Sequence, residues 1–97
     1  MRKLEIIKFK TIDATAMTGL VDAIKDAQQN GGYLSTPRCN SVTVGIDPAS
    51  FEVGLSVVWV NDAAHKQAGE SSAAGVLFEA VGKLTNAAPS MSFFQEA

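Results

Sequence analysis

The stretch Phe51-Glu-Val-Gly-Leu-Ser-Val-Val-Trp-Val60 decides the fold of this chain. One face of the predicted strand carries alternating apolar side chains, namely Phe51, Val53, Leu55, Val57 and Trp59. Towards its end Val58 and Val60 make the other face apolar as well. A strand with one face in water keeps polar residues on that face, so this pattern predicts a sheet that is covered on both sides. Because the chain has only 97 residues, we expect the second cover to be another copy of the same protein.

Length and composition limit the classes of protein to which this chain can belong. The 97 residues predict a single domain over 1–97, and the formal net charge of −2 without a basic cluster argues against a nucleic-acid partner. No apolar run reaches the roughly 18 residues of a membrane span. The single cysteine, Cys39, excludes an internal disulfide and a multi-cysteine metal site. We therefore expect by default a cytoplasmic protein without a membrane-spanning segment.

Alternating and helical periodicities predict elements in the order β-α-β-β-α-β. They are a strand over 3–10, a helix capped by Thr11 or Asp13 and stopped by Asn30-Gly31-Gly32, a strand with Val42, Val44 and Ile46 on one face, a strand over 51–60, a helical region over 63–85 interrupted at Gly69, and a strand over 91–96. The apolar stripe predicted for the last helix includes Val76 and Leu77. This order is that of the α+β, ferredoxin-like fold, a four-stranded antiparallel sheet with helices on one face. Its other face would be apolar, which predicts a homodimer.

Four segments of the sequence resemble a known superfamily. They are Leu4–Lys10, the hairpin end Val57-Val-Trp-Val-Asn-Asp62, the helix start Ala63-Ala-His65 and Met91-Ser-Phe-Phe94. They are similar to the dimeric α/β-barrel superfamily, and in particular to its antibiotic-biosynthesis-monooxygenase-like group. The resemblance implies two sheets packed face to face across a two-fold axis and a small-molecule cavity in each protomer. Members of the superfamily include cofactor-free oxygenases of polycyclic phenols, haem-degrading enzymes, isomerases and cyclases, so the fold alone does not choose an activity.

Three residues near the end of the long hairpin are candidates for catalysis or binding. His65 titrates near neutral pH and could serve as a base, although an outward position on its helix is the alternative. Trp59 could stack on a flat ligand, or it could be a core or interface anchor. Asn61 could stabilise a developing negative charge, or it could cap the following helix.

Four further residues complete the candidate site. Arg38 could pair with an anionic group, and Tyr33 could donate its phenol hydrogen to a carbonyl; for both, a structural role is the alternative. Phe9 and Phe94 are expected to line the apolar part of a pocket with Trp59. No cysteine partner or carboxylate pair accompanies the single histidine, so we expect no metal site.

Two functions from different classes fit this sequence. The first is a homodimeric barrel protein that binds a small hydrophobic or aromatic metabolite and acts as a cofactor-independent monooxygenase-like enzyme. His65 would be its base, Trp59 would stack on the ligand, and Asn61 or Arg38 would stabilise negative charge. The second is a non-catalytic binding or self-assembly module. An open pocket with a few polar groups favours the first function, and a solidly filled interior favours the second.

Overall fold

The computed structural model describes residues 1–35 and 37–97; Thr36, within the predicted connector between the first helix and the second strand, lies outside the described residues. Four strands and three helices follow one another along these described residues. They are β1 (Lys3–Lys10), α1 (Ala14–Ala27), β2 (Cys39–Asp47), β3 (Glu52–Trp59), α2 (Asp62–Glu70), α3 (Ser72–Leu84) and β4 (Ser90–Gln95). The predicted order is confirmed, with the second helical region divided at Ser71.

The four strands form one antiparallel sheet in the order β2-β3-β1-β4. In the centre of the sheet, Lys3 pairs with Trp59 and Phe9 pairs with Val53. This is the predicted ferredoxin-like arrangement, in which the first and third strands are central. The register decides which side chains share a face, because a shift of one residue would exchange the two faces.

The helices cover one face of this sheet and close the hydrophobic core against it. The core side chains of β3 are those that the alternation predicts, and they are between 0% and 2% exposed: Val53, Leu55, Val57 and Trp59. From β1, Ile7 and Phe9 point to the same side, where Leu20 and Ile24 of α1 meet them. Burial of large apolar side chains at about 1.5–3 kcal/mol each is the main source of stability for such a layer.

Side-chain caps and a tight turn fix the ends of several elements. Asp13, not Thr11, caps α1, since its carboxyl group accepts a hydrogen bond from the backbone N–H of Ala16 at 2.7 Å. Phe51 lies in the turn before β3 with φ of +58°. The prediction that Phe51 belongs to the alternating apolar face of β3 is therefore wrong. The carbonyl oxygen of Phe51 accepts hydrogen bonds from the backbone N–H and the hydroxyl group of Thr11, which hold this left-handed conformation in place.

The opposite face of the sheet carries no helix. Leu4 pairs with Val58 on one side and with Phe94 on the other, so these three side chains lie next to one another across β3, β1 and β4. Phe94 is 53% exposed, and Ile6 on the same face is 51% exposed. We call Leu4, Ile6, Val58 and Phe94 the bare apolar face. None of the helices described here is long and apolar enough to span a membrane.

Candidate functional site

A cavity of about 350 Å³ lies between the sheet and the helices α2 and α3. It is more enclosed than the depressions on the bare face of the sheet and along α1. Almost all of its lining is apolar or aromatic, and polar side-chain atoms come from Glu5, Tyr33 and His65. The full lining is Glu5, Ile7, Phe9, Tyr33, Leu34, Leu55, His65, Leu77, Phe78, Val81, Pro89, Met91 and Phe93. An enclosed apolar space with a few convergent polar groups is typical of a ligand site.

Glu5 is the buried acidic group of this cavity. It lies on β1 with Ile7 and Phe9 on the helix side of the sheet and is only 3% exposed. The indole Nε1–H of Trp59 donates a hydrogen bond to Glu5 Oε1 at 3.0 Å. The two residues meet because Glu5 pairs with Val57 and Trp59 is the next residue of β3 on the same face, which makes them diagonal neighbours.

His65 lies beside this pair, on the first part of α2. Asn61 begins the helix by accepting a hydrogen bond from the N–H of Ala64 at 2.7 Å, which places His65 one turn into the helix. The imidazole stacks on the ring of Trp59 with centroids 4.6 Å apart, and its Nε2 lies 3.9 Å from Glu5 Oε1. The side chain is 19% exposed. His65 therefore faces the cavity, not the solvent side of the helix.

Five rings form a continuous row along the cavity, which we call the aromatic row: Phe78, Tyr33, Trp59, His65 and Phe93. Tyr33 presents its edge to Trp59 at 5.4 Å and to Phe78 at 5.2 Å. The centre of the Phe93 ring lies 5.7 Å from that of His65. Edge-to-face and stacked pairs of this kind add about 0.5–1.5 kcal/mol each beyond the area that they bury.

Burial and neighbouring charge set the protonation of the site. Burial lowers the pKa of His65, and the carboxyl group of Glu5 offsets part of this effect, so the imidazole is neutral at pH 7. Burial, assisted by Glu5, raises the pKa of Tyr33 to about 12, which keeps its phenol protonated. Burial also raises the pKa of Cys39 to about 12, so this thiol is not a nucleophile at neutral pH.

An ion pair lies next to Phe93 of the cavity lining. Lys3 Nζ lies 2.8 Å from Asp62 Oδ1 and 4.8 Å from the centre of the Phe93 ring. This pair is close to neutral as a unit, and it supplies no free cation to Glu5. Among residues 1–35 and 37–97, no group of three His, Cys, Asp or Glu side chains is placed to hold a metal ion.

The structure brings some of the predicted site residues together and separates others. His65, Tyr33 and Phe9 line the cavity. Trp59 is 0% exposed and lies behind His65, so stacking of a ligand on its ring stays a prediction. Phe94 lies on the bare apolar face, because it pairs with Leu4, and it does not line this cavity.

Asn61 and Arg38 have other hydrogen-bond partners. Asn61 caps α2, which is the alternative that the sequence offered for it. Arg38 Nη1 donates to the carbonyl oxygen of Gly32 at 3.2 Å and lies 3.5 Å from Ser71 Oγ, which ties the connector to the break between α2 and α3. Neither side chain lines the cavity, and their roles in stabilising negative charge stay predictions.

Sequence reasoning missed Glu5, Phe78 and Phe93. Glu5 could have been found, because its position in the alternation of β1 matches that of Ile7 and Phe9 and therefore places a carboxyl group on the core side. Phe78 had no such signal, since it lies outside the predicted apolar stripe of α3. Phe93 pairs with Glu5 in the sheet, and this register cannot be read from the two strands separately.

Known structures share this fold over nearly the whole chain. A conserved protein from Methanosarcina mazei Go1 superimposes with a TM-score of 0.82 at 9% identity, covering 100% of this chain and 94% of that one. A monooxygenase from the gene ActVA-Orf6 of Streptomyces coelicolor, solved with the ligand nanaomycin D, gives 0.80 at 17% identity, covering 98% and 87%. SnoaB from Streptomyces nogalater, a cofactor-independent oxygenase, gives 0.79 at 11% identity, covering 98% and 92%.

These similarities concern the fold. The expected resemblance to antibiotic-biosynthesis-monooxygenase-like proteins is confirmed at that level. No protein-family model matches the chain, and no curated protein matches it. Activity and ligand therefore have to be argued from the cavity itself.

Proposed function

We propose that the protein binds a small hydrophobic or aromatic metabolite in the cavity beneath α2 and α3 and acts on it as a cofactor-independent monooxygenase-like enzyme. The observation that carries this proposal is the position of His65, a neutral base facing an enclosed apolar space beside a buried carboxyl group. A base in this setting is suited to removing a proton from a bound phenol or enol.

His65 accepts the proton of the bound hydroxyl group in the proposed reaction. The resulting anion is electron-rich and reacts with O₂; one oxygen atom enters the substrate, the other leaves as water, and the substrate supplies the electrons. Trp59 holds the imidazole in place by stacking, while the aromatic and aliphatic lining excludes water. The fold shared with SnoaB and with the Streptomyces coelicolor monooxygenase supports this class of reaction.

Replacement of His65 tests the proposal, with 1,8-dihydroxyanthrone as the probe and oxygen uptake as the readout. Histidine contributes about 10²–10⁴-fold as a general base, so His65→Ala is expected to lose at least about 100-fold in kcat/KM. Gln67→Ala is the matched control, because this residue is exposed on the same helix and should keep full turnover. Equal turnover by His65→Ala and the unaltered protein would refute the role of His65.

A homodimer formed through the bare apolar face is the second part of the proposal. Leu4, Val58 and Phe94 lie side by side in a surface that a single protomer leaves in water. Covering such side chains contributes about 1.5–3 kcal/mol each, and large exposed apolar patches normally mark interfaces. Two sheets would then pack face to face as one barrel, each protomer contributing residues 1–97 as one domain.

A non-catalytic binding or self-assembly module is the second candidate function. The bare apolar face favours it, because that face supports self-association without any chemistry in the cavity. The unfilled cavity and the buried hydrogen bond between Trp59 and Glu5 favour the enzyme. In both cases we place the protein in the cytoplasm, a compartment in which the buried thiol of Cys39 stays reduced.

A further inference from the structure

The carboxyl group of Glu5 is almost completely buried and has one hydrogen-bond partner among the described residues. At 3% exposure it accepts one hydrogen bond, from Trp59 to Oε1. Within the described part of the chain, no side chain or backbone group donates a hydrogen bond to Oε2. No fully buried side-chain oxygen or nitrogen of the described residues lacks a hydrogen-bond partner, so Oε2 is not fully shielded and is reached from the cavity that Glu5 lines.

The neighbouring cations do not fill this gap. His65 Nε2 lies 3.9 Å from Oε1, beyond hydrogen-bonding distance, and its ring is neutral at pH 7. Lys3 is hydrogen-bonded to Asp62 at 2.8 Å. Tyr33 is the other ionisable group of the lining, and its neutral phenol adds no charge. Glu5 is therefore the acidic group of the lining, and no lysine or arginine of the described residues forms an ion pair with it.

The carboxyl group of Glu5 is accessible from the cavity. Glu5 belongs to the lining of the 350 Å³ space, and most of the surrounding surface is aliphatic or aromatic. A molecule in that space would bring its apolar body against Phe9, Phe78 and Phe93 and its polar group towards Glu5. An acceptor or an anion placed there would meet the carboxylate without a donor between them, which is unfavourable.

We propose that Glu5 makes the cavity selective for a flat apolar ligand that presents a hydroxyl or amino hydrogen to Oε2, and that it excludes ligands carrying a carboxylate. This inference rests on the proposed function, since it specifies what that cavity binds. Glu5 is then the residue that determines specificity. His65 takes its proton from a different hydroxyl or enol group of the ligand, and because that proton stays on the imidazole, the step adds no net negative charge beside Glu5. The ligand donates the hydrogen bond to Oε2 that no group of the described residues donates.

Three probes with the same ring system separate the chemistry of the polar group from that of the apolar body. They are 2-naphthol, which has a donor; 2-methylnaphthalene, which has a methyl group in its place; and 2-naphthoate, which has an anion. Hydrogen bonds to charged groups are strong enough that 2-naphthol should bind at least about tenfold more tightly than 2-methylnaphthalene. 2-Naphthoate should bind more weakly than either. Dissociation constants are measured by ligand-observed NMR at pH 7.

The variant Glu5→Gln tests the residue while keeping its shape. The amide oxygen can still accept the hydrogen bond of Trp59, and the amide NH₂ then faces the cavity as a donor. The preference for 2-naphthol over 2-methylnaphthalene should fall to within about threefold, and 2-naphthoate should gain affinity. Thermal unfolding of the variant checks that it is folded.

Glu52→Gln is the matched control. Glu52 also lies on a central strand, but it contacts Ser50 and Lys8 and does not line the cavity, so this variant should keep the ligand preference of the unaltered protein. An unchanged preference in folded Glu5→Gln, or no preference in the unaltered protein, would overturn the selectivity alone. Failure of all three probes to bind would overturn the proposed function together with it.

Discussion

Glu5 and His65 are the acidic and the basic side chain of the cavity lining. Their side chains approach to 3.9 Å and share Trp59 as a neighbour, which donates to one and stacks on the other. The effect of each on the other can therefore be measured without any ligand.

We expect the imidazole of His65 to titrate below its usual value near 6.5, because burial disfavours its charged form. In Glu5→Gln the pKa should fall further, since the carboxyl group is the main influence that raises it. The shift of the His65 Cε1–H signal with pH measures both values, and His65 is the single histidine of the chain.

The same shift has a consequence for stability. A histidine with a lowered pKa in the folded state binds fewer protons there than in the unfolded state. The free energy of unfolding is therefore unaffected by His65 above about pH 6.5, and it decreases as the pH falls towards the pKa of His65 in the folded state. His65→Gln removes this contribution and should flatten the decrease. A folded pKa above 6.5, or a pKa that rises in Glu5→Gln, would contradict the assigned environment.

The sequence identified some residues of the cavity correctly and others not. His65 was found from its chemistry, because no other side chain titrates near pH 7. Its orientation was not predicted, since the direction of a side chain on a short helix depends on where Asn61 starts that helix over the sheet. Asn61 and Arg38 were chosen for their polar groups, but those groups are satisfied by backbone atoms, which residue type alone does not reveal.

At the scale of elements, β1 and β3 are the most predictable. Their alternation reports burial directly, and β1 was predicted with the bounds that the structure gives, Lys3–Lys10. α3 was predicted less well, because Val76, assigned to its apolar stripe, is 74% exposed, whereas Leu77 is buried. α3 packs on α1 and α2, so its buried face depends on contacts between elements.

The sheet has two apolar faces, and we expect the bare apolar face to form the homodimer interface. Phe94→Lys places a charge on the bare apolar face, next to Leu4, and should shift a homodimer to monomer, measured by native mass spectrometry and sedimentation. Val76→Lys is the matched control, since it adds the same charge at an exposed apolar position on α3 and should leave the dimer intact. A Phe94→Lys protein that is as dimeric as Val76→Lys would place the interface elsewhere.

At the scale of the whole molecule, the sheet separates the cavity from the bare apolar face. One side of the sheet holds the cavity with Glu5 and His65, and the other side holds the bare apolar face. The ferredoxin-like order of the elements predicted that helices cover one face of the sheet and leave the other face bare. The volume of the cavity could not be predicted, because it depends on the distance of α2 and α3 from the sheet. Structures at 9–17% identity share the fold, so the chemistry has to be decided by side chains in the cavity.

An NMR titration of the protein with 2-naphthol tests the cavity as the ligand site most directly. We expect shifts concentrated in the His65 imidazole and in the backbone signals of Phe78 and Phe93, which flank the cavity. Thr43, on the opposite side of the sheet, should stay unaffected. Shifts confined to Leu4, Val58 and Phe94, or the absence of any saturable shift, would contradict the assignment of the cavity as a binding site.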